Sequence, residues 1–245
     1  MKEIVVANFK MNKTFSETNE YVKKLDSLLG ENETNVVLFL PFTSLYISKL
    51  YDGKKFSFGA QNMNEEEYGS FTGEISASML TDLNVKNVIV GHNDRKRYGE
   101  TYSIVNKKIK TGLRYNFNLF VCVGDTRAQK NSNKTALALE EQISEALSGI
   151  YENELKNIIF VYEPIWALGT GKIADIKDVN SSIEVIRKVI SKLYSSEAGK
   201  SIKVIYGGSV NSEVAKQFKK LDNLNGFLVG ANCLDVVEFS KIIND

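Results

Sequence analysis

The chain has 245 residues, of which 43% are hydrophobic and 25% are charged, a composition typical of a folded globular protein rather than a disordered or collagen-like chain. Its 31 basic and 30 acidic residues leave a formal net charge of +1, so it lacks the basic surplus of nucleic-acid-binding proteins. No segment reaches the roughly 18 consecutive apolar residues of a membrane-spanning helix. We therefore expect neither nucleic acid nor membrane among its partners.

The N-terminus and the cysteines both bear on the cellular compartment. Ile4–Ala7 is the only apolar run before Asn8, whereas the apolar region of a secretory signal has about 7–15 residues. Cys122 and Cys233 lie far apart within apolar segments, which argues against a disulfide framework or a zinc site and predicts two buried thiols. We expect a cytoplasmic protein.

Short apolar runs rich in Val, Ile and Phe recur along the chain and predict buried strands. Their apolarity is continuous rather than alternating, as in parallel strands that are buried on both faces. The eight predicted strands are Ile4–Ala7, Val36–Leu40, Phe56–Ala60, Val88–Val90, Leu119–Val123, Ile158–Val161, Val204–Tyr206 and Phe227–Val229.

Amphipathic segments of helical length separate these runs. Within each segment, apolar residues recur at intervals of three and four positions, as on the buried face of a helix that packs against a sheet. The four clearest predicted helices are Thr18–Leu29, Leu137–Leu147, Ile183–Leu193 and Val214–Leu221.

Eight strands that alternate with about eight helices predict a closed (β/α)₈ barrel. The only prolines are Pro41 and Pro164, and no linker rich in Pro, Gly or Ser divides the chain, so we predict a single barrel domain over residues 1–245. A doubly wound open sheet is the alternative fold, because the periodicity of the apolar residues is the same in both.

Polar and glycine-rich segments follow five of the predicted strands, where a parallel α/β fold gathers its reactive groups. An amide, an ammonium group, an imidazole, a carboxylate and two glycine-rich turns would meet at one opening. This mixture suits acid–base chemistry on a phosphorylated carbonyl compound. The segments are Asn8-Phe9-Lys10, Gly91-His92-Asn93-Asp94-Arg95, Tyr162-Glu163-Pro164, Gly207-Gly208-Ser209 and Gly230-Ala231-Asn232.

Position alone leaves the roles of these side chains open. Glu163 at a strand end fits a loop ion pair as well as a general base. A lone histidine such as His92 is more often structural than catalytic, and most lysines simply face solvent.

Longer motifs around these segments make the sequence similar to the triosephosphate isomerase family. They occur in the order and at the spacing of that family and extend over the whole chain. The eleven-residue motif Tyr162–Lys172 is highly specific by itself. The motifs are Asn8–Asn12, Ala60–Asn62, Gly69–Ser76, Gly91-His92, Tyr162–Lys172, Tyr206–Asn211 and Gly226–Gly230.

By this resemblance the chain is expected to interconvert dihydroxyacetone phosphate and D-glyceraldehyde 3-phosphate through an enediolate, without a metal or an organic cofactor. Glu163 would move the proton between C1 and C2. A neutral His92 would donate a hydrogen bond to the substrate carbonyl, because a helix N-terminus disfavours the imidazolium. Lys10 and Asn8 would stabilise the developing oxyanion.

The resemblance also implies that backbone N–H groups hold the substrate phosphate. Glycine-rich turns and a helix N-terminus can bind a dianion without an arginine, although a Gly-Gly pair alone more often marks a tight turn. The expected substrate contacts are Asn8, Phe9, Lys10, Gly169, Ser209, Gly230 and Ala231.

A lid that closes over the reacting substrate is a further implication of the resemblance, because closure prevents loss of phosphate from the enediolate. The expected lid runs from Ala167 to Gly171, between hinge segments that contain Pro164, Trp166 and Lys172. A plain flexible loop is the alternative, but a bulky tryptophan has little purpose in such a loop.

A long excursion after the third predicted strand, Gln61–Ser78, points to a homodimer. Phe71 and Met79 would be exposed in this region unless a partner covers them. By resemblance the excursion inserts into a second subunit, where Thr72 docks near Met11.

The sequence departs from the family pattern at several positions near the expected site. Ala231 would resist a positive φ. Asp94 is one methylene shorter than the glutamate of the family, so we expect its carboxylate to fall back by about 1.5 Å from Lys10 and to leave the site slack. The alternative is that Asn93 and Lys96 in the same turn compensate for the shorter side chain. The departures are Phe9, Asn93, Asp94, Lys96, Asp125 and Ala231.

Two alternatives to an active isomerase stay open at the level of the sequence. One is a catalytically weakened homologue, or another phosphate-binding barrel enzyme that acts on a different sugar phosphate. The other is a non-enzymatic scaffold, since a fold does not fix a function. All the catalytic residues that the resemblance implies are present, which favours the isomerase.

Overall fold

The computed structural model describes residues 3–30, 34–168 and 173–244. Eight parallel strands form a closed barrel in which the last strand pairs with the first. All eight predicted strands are present, and none of their ends differs by more than one residue. The strands are Ile4–Asn8 (β1), Asn35–Leu40 (β2), Ser57–Ala60 (β3), Asn87–Val90 (β4), Asn118–Val123 (β5), Ile158–Tyr162 (β6), Lys203–Tyr206 (β7) and Gly226–Val229 (β8).

The register of β1 shows how the barrel closes. Val5 is the register partner of Val36 in β2 and of Phe227 in β8. A doubly wound sheet would leave two edge strands, so this pairing decides between the two predicted folds in favour of the (β/α)₈ barrel.

The continuous apolarity of the strands reflects two separate cores. In β1, Ile4 and Val6 join a cluster of side chains inside the barrel. Val5 and Ala7 join the larger core between the barrel and its helices. Because successive side chains of a strand point to opposite faces, both sets of positions have to be apolar.

Helices connect the strands and cover the outside of the barrel. The four helices predicted from periodicity are present, with shifted ends. Within the described ranges the α-helices are Phe15–Leu28 (α1), Ile47–Leu50 (α2), Ala77–Asp82 (α3), Asn93–Lys96 (α4), Tyr102–Arg114 (α5), Arg127–Asn131 (α6), Thr135–Ala146 (α7), Ile176–Leu193 (α8), Ser196–Ser201 (α9), Ser212–Phe218 (α10) and Val236–Asn244 (α11). Short 3₁₀ helices occupy Phe42–Ser44, Glu152–Asn157 and Ala231–Leu234.

Polar caps start two of these helices earlier than their apolar periodicity indicates. α1 follows Thr14, whose hydroxyl accepts a hydrogen bond from the backbone N–H of Glu17 in a capping box. α8 follows Asp175, whose carboxylate caps the first turn, so this helix begins almost two turns before the predicted start at Ile183.

The structure also bears on two predictions from the sequence, that the two cysteines are buried thiols and that no segment spans a membrane. Cys122 and Cys233 are buried and free, as predicted. In the ranges that the structure describes, no helix combines the length and apolarity needed to cross a membrane.

Candidate active site

A cavity of about 590 Å³ opens at the carboxyl ends of the strands. Segments that are far apart in the sequence meet in its wall, because each belongs to a loop that follows a different strand. The predicted site residues that the cavity brings together are Asn8, Lys10, His92, Glu163, Ser209, Gly230 and Ala231.

Glu163 directly follows β6, and its side chain is buried. Its backbone N–H extends the sheet by donating to the carbonyl oxygen of Val123. Oε1 lies 3.0 Å from Nε2 of His92, and Oε2 accepts a hydrogen bond of 3.1 Å from the backbone N–H of Asn93. The segment that follows β4 therefore holds both carboxylate oxygens.

The surroundings of Glu163 lower the pKa of its carboxyl group. Burial raises this pKa, but His92, the Asn93 N–H and the Lys10 ammonium stabilise the anion and outweigh the effect of burial. The carboxylate is therefore ionised at neutral pH, as a general base requires.

His92 precedes the short helix α4 and caps it with its imidazole. Nδ1 accepts a hydrogen bond of 3.1 Å from the backbone N–H of Asp94. An Nδ1 that accepts leaves the proton of the neutral ring on Nε2, so Nε2 is the donor in the pair with Glu163.

Opposing effects act on the pKa of His92. Burial lowers it, whereas the carboxylate of Glu163 raises it above the ordinary value of imidazole. Protonation would remove the Nδ1 lone pair that accepts the Asp94 N–H, so this hydrogen bond favours the neutral ring. The Glu163 carboxylate raises the pKa of His92 while it faces the imidazole. This effect weakens when the carboxylate turns away.

Lys10 has a left-handed backbone conformation with φ of 50°, which is uncommon for a residue other than glycine. Its N–H donates to Oδ1 of Asn8 at 3.0 Å, and its carbonyl oxygen accepts a hydrogen bond of 3.0 Å from Nε2 of Gln61. Backbone strain of this kind persists where surrounding contacts maintain it, often at functional sites. The lysine stem consequently lies beside Gly230, which belongs to the turn after β8.

Asp94 reaches Lys10 in spite of its shorter side chain. Its Oδ2 lies 3.0 Å from Nζ of Lys10 and 3.6 Å from Nδ1 of His92. The first turn of α4 places Asp94 close to both groups. The gap expected from the sequence is therefore absent, which argues against a slack site.

Two other departures from the family pattern lie in the same turn. Asn93 serves Glu163 through its backbone N–H, which every residue except proline can supply. Lys96 places its ammonium 5.2 Å from the centre of the Tyr102 ring, in a cation–π contact.

The predicted phosphate-binding turns follow β7 and β8. Ser209, Gly230 and Ala231 line the cavity there. Ala231 is the first residue of a 3₁₀ helix and does not have a positive φ, so the alanine introduces no strain. Nδ2 of Asn232 donates to the carbonyl oxygen of Val210 at 2.6 Å and links the two turns.

One predicted substrate contact is placed elsewhere, and three predicted residues fall outside the described ranges. Phe9 is fully buried, and its ring packs edge-on against that of Tyr21 with 4.9 Å between centroids. Its side chain belongs to the core between the barrel and the helices rather than to the cavity, because it points to the face opposite to Asn8. The residues outside the described ranges are Gly169, Gly171 and Lys172.

Pro164, Trp166 and Ala167, predicted at the start of the lid, form a turn directly after Glu163. The N–H of Ala167 donates to the carbonyl oxygen of Pro164 at 2.8 Å. Arg127 of α6 donates to the carbonyl oxygen of Trp166 at 2.6 Å. The turn is therefore anchored to α6.

The residues predicted at a dimer contact are exposed in the single chain. Thr72 is exposed, and 96% of the surface of Met11 is accessible. Phe71 and Met79 are exposed as well. Met11 stands between Lys10 and Asn12, which both line the cavity, so its exposed side chain adjoins the cavity.

Asp125 forms a buried group with two hydroxyls that the sequence did not predict. Its carboxylate accepts hydrogen bonds from Thr135 at 2.6 Å and from Tyr162 at 2.9 Å. Its backbone carbonyl accepts the N–H of Ile165 at 3.1 Å. The aspartate that replaces the glutamate of the family therefore has partners for both oxygens and supports the turn after Glu163.

Gln61 and Gly124 are two further residues that position the site. Gln61 holds the carbonyl of Lys10. A side-chain carbon at Gly124 would collide with the backbone of Glu163, so only glycine allows this close approach. Both residues directly follow a strand. The rule that functional residues collect at the carboxyl ends of parallel strands, which located Asn8 and Glu163, could therefore have identified them as well.

The described residues include no group of three or more His, Cys, Asp or Glu side chains arranged to hold a metal ion. The cavity wall combines a buried carboxylate, an imidazole donor, an ammonium group and two glycine-containing turns. Such a set can move a proton next to a carbonyl group and stabilise the oxyanion that results.

Comparison with known proteins places this site in a family. The chain matches the family model described as Triosephosphate isomerase over residues 3–245. It is 38% identical to the triosephosphate isomerase of Dictyoglomus turgidum and 40% identical to that of Dictyoglomus thermophilum, with 99% of this chain and 98% of the relative covered in both cases. The triosephosphate isomerase of Alkaliphilus metalliredigens is 39% identical, with 99% of both chains covered. The chain belongs to the triosephosphate isomerase family.

Proposed function

We propose that this protein interconverts dihydroxyacetone phosphate and D-glyceraldehyde 3-phosphate, as an isomerase of glycolysis and gluconeogenesis. The observation that carries the proposal is the buried pair of Glu163 and His92, 3.0 Å apart in the wall of a cavity that Lys10 also lines. A carboxylate base, an imidazole donor and an ammonium group are the groups that proton transfer next to a carbonyl requires. Membership of the family supports the same reaction.

Glu163 is the base in this proposal and carries the proton between C1 and C2 of the substrate. Its carboxylate faces His92 and the Asn93 N–H, so it has to leave these partners to reach the substrate. These partners lower the pKa of Glu163, whereas burial raises it. When the carboxylate leaves them, its pKa therefore rises, and it becomes a stronger base as it approaches the substrate.

His92 and Lys10 stabilise the oxygen of the enediolate. Because the Asp94 N–H occupies Nδ1, the neutral ring donates from Nε2. The ammonium of Lys10 compensates the developing negative charge, and Asn8 maintains the lysine in place through the hydrogen bond to its N–H.

The substrate phosphate binds at the turns after β7 and β8 in this proposal. Ser209, Gly230 and Ala231 lie there, and Gly169 is expected to add a further N–H. Backbone N–H groups at such turns and at the first turn of a helix suit a dianion.

A lid from Ala167 to Gly171, with hinges at Pro164, Trp166 and Lys172, completes the proposed site. Glu163 directly precedes the first hinge, so movement of the base and closure of the lid share one stretch of backbone. A closed lid excludes water and keeps the enediolate from expelling phosphate.

The proposed reaction uses only protein groups, so we expect no metal and no organic cofactor. We also propose that the protein works in the cytoplasm as a single barrel domain over residues 1–245. Its partners are the triose phosphates and a second copy of the chain, and the net charge of +1 argues against nucleic acid.

We further propose a homodimer. Met11, Tyr68 and Phe71 are 96%, 88% and 46% exposed in the single chain, and large apolar side chains with this exposure favour an interaction that covers them. In the dimer, Thr72 of one subunit docks near Met11 of the other.

A coupled assay with glyceraldehyde 3-phosphate tests the proposed function. We expect a kcat above about 10 s⁻¹, which is ordinary for an enzyme. Binding of 2-phosphoglycolate without turnover would indicate a weakened homologue, and the absence of both turnover and binding would indicate a scaffold.

A further inference from the structure

Lys130 in α6 contacts residues on both sides of the connection between β6 and α8. Its ammonium lies 4.8 Å from the centre of the Trp166 ring and 2.7 Å from Oδ2 of Asp178. Trp166 belongs to the turn that follows β6, and Asp178 belongs to the first turn of α8. One side chain therefore joins the turn after β6 to the helix that follows it.

The same turn has two other contacts that fix its position. Arg127 of α6 donates to the carbonyl oxygen of Trp166 at 2.6 Å, and the N–H of Ile165 donates to the carbonyl oxygen of Asp125 at 3.1 Å. These contacts act within three residues of Glu163. Trp166 and Glu163 are therefore joined by a short backbone segment whose position these contacts fix.

Both neighbours of the Lys130 ammonium attract a positive charge. The face of an indole ring carries negative charge density, and the carboxylate of Asp178 carries a full negative charge. The side chains of Lys130 and Asp178 are 32% and 41% accessible, so the contact lies near the surface and its removal leaves the core intact.

We propose that Lys130 is a positioning residue for Glu163, an inference that rests on the proposed function. It touches no substrate but holds Trp166 against α8, so that the turn after Glu163 keeps one geometry. A misplacement of about 1 Å in a reacting group can slow a reaction by as much as 10²-fold. The effect falls on kcat more than on KM, because Ser209, Gly230 and Ala231 belong to the turns after β7 and β8, and only Gly169 among the proposed phosphate contacts follows Trp166 closely in the sequence.

Three variants separate the role of Lys130 from a general effect of charge. We expect Lys130→Ala to lower kcat by about three- to tenfold, with KM within about twofold of the parent value. Lys130→Arg should restore kcat to within about twofold, because a guanidinium both stacks on an aromatic ring and pairs with a carboxylate. Lys134→Ala, which removes the same charge from an exposed residue just before α7, should leave kcat unchanged.

Trp166 is the only tryptophan of the chain, so its fluorescence reports the contact directly. Quenching of this fluorescence by acrylamide should increase in Lys130→Ala, because the lysine no longer covers the indole. It should stay at the parent value in Lys130→Arg and Lys134→Ala. Thermal melts of the same variants would reveal a loss of stability, which by itself does not produce this pattern.

The possible outcomes distinguish this inference from the proposed function. An active parent protein whose Lys130→Ala variant matches Lys134→Ala in kcat overturns the positioning role alone, whatever the quenching shows. Increased quenching with an unchanged kcat likewise overturns the positioning role, because the indole is then uncovered without any effect on Glu163. A parent protein without isomerase activity overturns the proposed function and this inference together.

Discussion

The ammonium nitrogen of Lys10 lies 3.0 Å from Oδ2 of Asp94, and the two side chains form an ion pair beside His92. Burial raises the pKa of Asp94, but nearby positive charges, on His92 when it is protonated and on Lys10 and Arg97, lower this pKa by more, so the carboxylate is charged at neutral pH. The ion pair holds the lysine that the proposed mechanism places at the oxyanion. Asp94 therefore pairs with Lys10, although its side chain was expected from the sequence to be too short to do so.

Lengthening this acid is expected to harm the site. Glu at position 94 would have to fold back to keep the distance to Lys10, so we expect Asp94→Glu to lower kcat by about two- to fivefold, which is about 0.4–1 kcal/mol. Steady-state kinetics at saturating substrate measure this effect. Asp82→Glu, at an exposed position at the end of α3, is the matched control and should change nothing. A rise of kcat in Asp94→Glu would show that the site was slack after all.

Seven of the eight strands were predictable because each packs between two apolar cores and is therefore apolar along its length; the side chains of β3 join only the outer core. Helix ends were less predictable, since α8 starts at a polar cap that the apolar period does not include. The site followed from one rule, that reactive groups collect at the carboxyl ends of parallel strands, and this rule placed Lys10, His92 and Glu163 correctly in the cavity.

The rule does not give the direction of a side chain or the reach of a turn. Phe9 follows Asn8 in the chain but points into the core. The position of Asp94 depends on the start of α4, which the sequence does not specify to within an ångström. Lys130 belongs to a helix rather than a strand end, so its contact with Trp166 could not be inferred from the sequence and is evident only in the folded structure.

The imidazole of His92, the only histidine of the chain, gives a single signal in an NMR titration. We expect Glu163→Gln to lower the pKa of His92 relative to the parent, because the carboxylate that raises this pKa is gone while burial still lowers it. Titration of the Cε1–H shift from about pH 4 to pH 9 in both proteins measures the difference. An equal or higher pKa in the variant would contradict the electrostatic coupling of the pair.

The buried ion pair of Lys108 and Glu100 is expected to stabilise the fold next to the site. Both side chains are only 4% accessible, and Glu100 also accepts the N–H of Gly91, the residue before His92. Lys108→Met leaves a buried carboxylate without this partner and should lower the free energy of unfolding by about 3 kcal/mol. Urea unfolding measures the loss. Lys107→Met, the exposed neighbour in α5, should stay within about 0.5 kcal/mol, and equal effects of the two variants would refute the prediction.

The proposed dimer predicts a mass of about twice 27.4 kDa in sedimentation at micromolar concentration. Met11→Lys should shift the protein toward monomers, because it places a charge in the apolar contact. Tyr151→Lys, at another large exposed residue that precedes β6 at the other end of the barrel, should leave the mass unchanged. A fully active monomer of the parent protein at this concentration would refute the proposed homodimer.

The steady-state kinetics of Glu163→Gln test the central claim most directly. The substitution keeps the size of the side chain and removes the base, so we predict that kcat falls by about 10³-fold or more while the circular dichroism spectrum and the melting temperature show a folded protein. Glu141→Gln, an exposed glutamate of α7, is the matched control and should retain the parent rate. A Glu163→Gln variant that keeps even a tenth of the parent rate would contradict the assignment of Glu163 as the base.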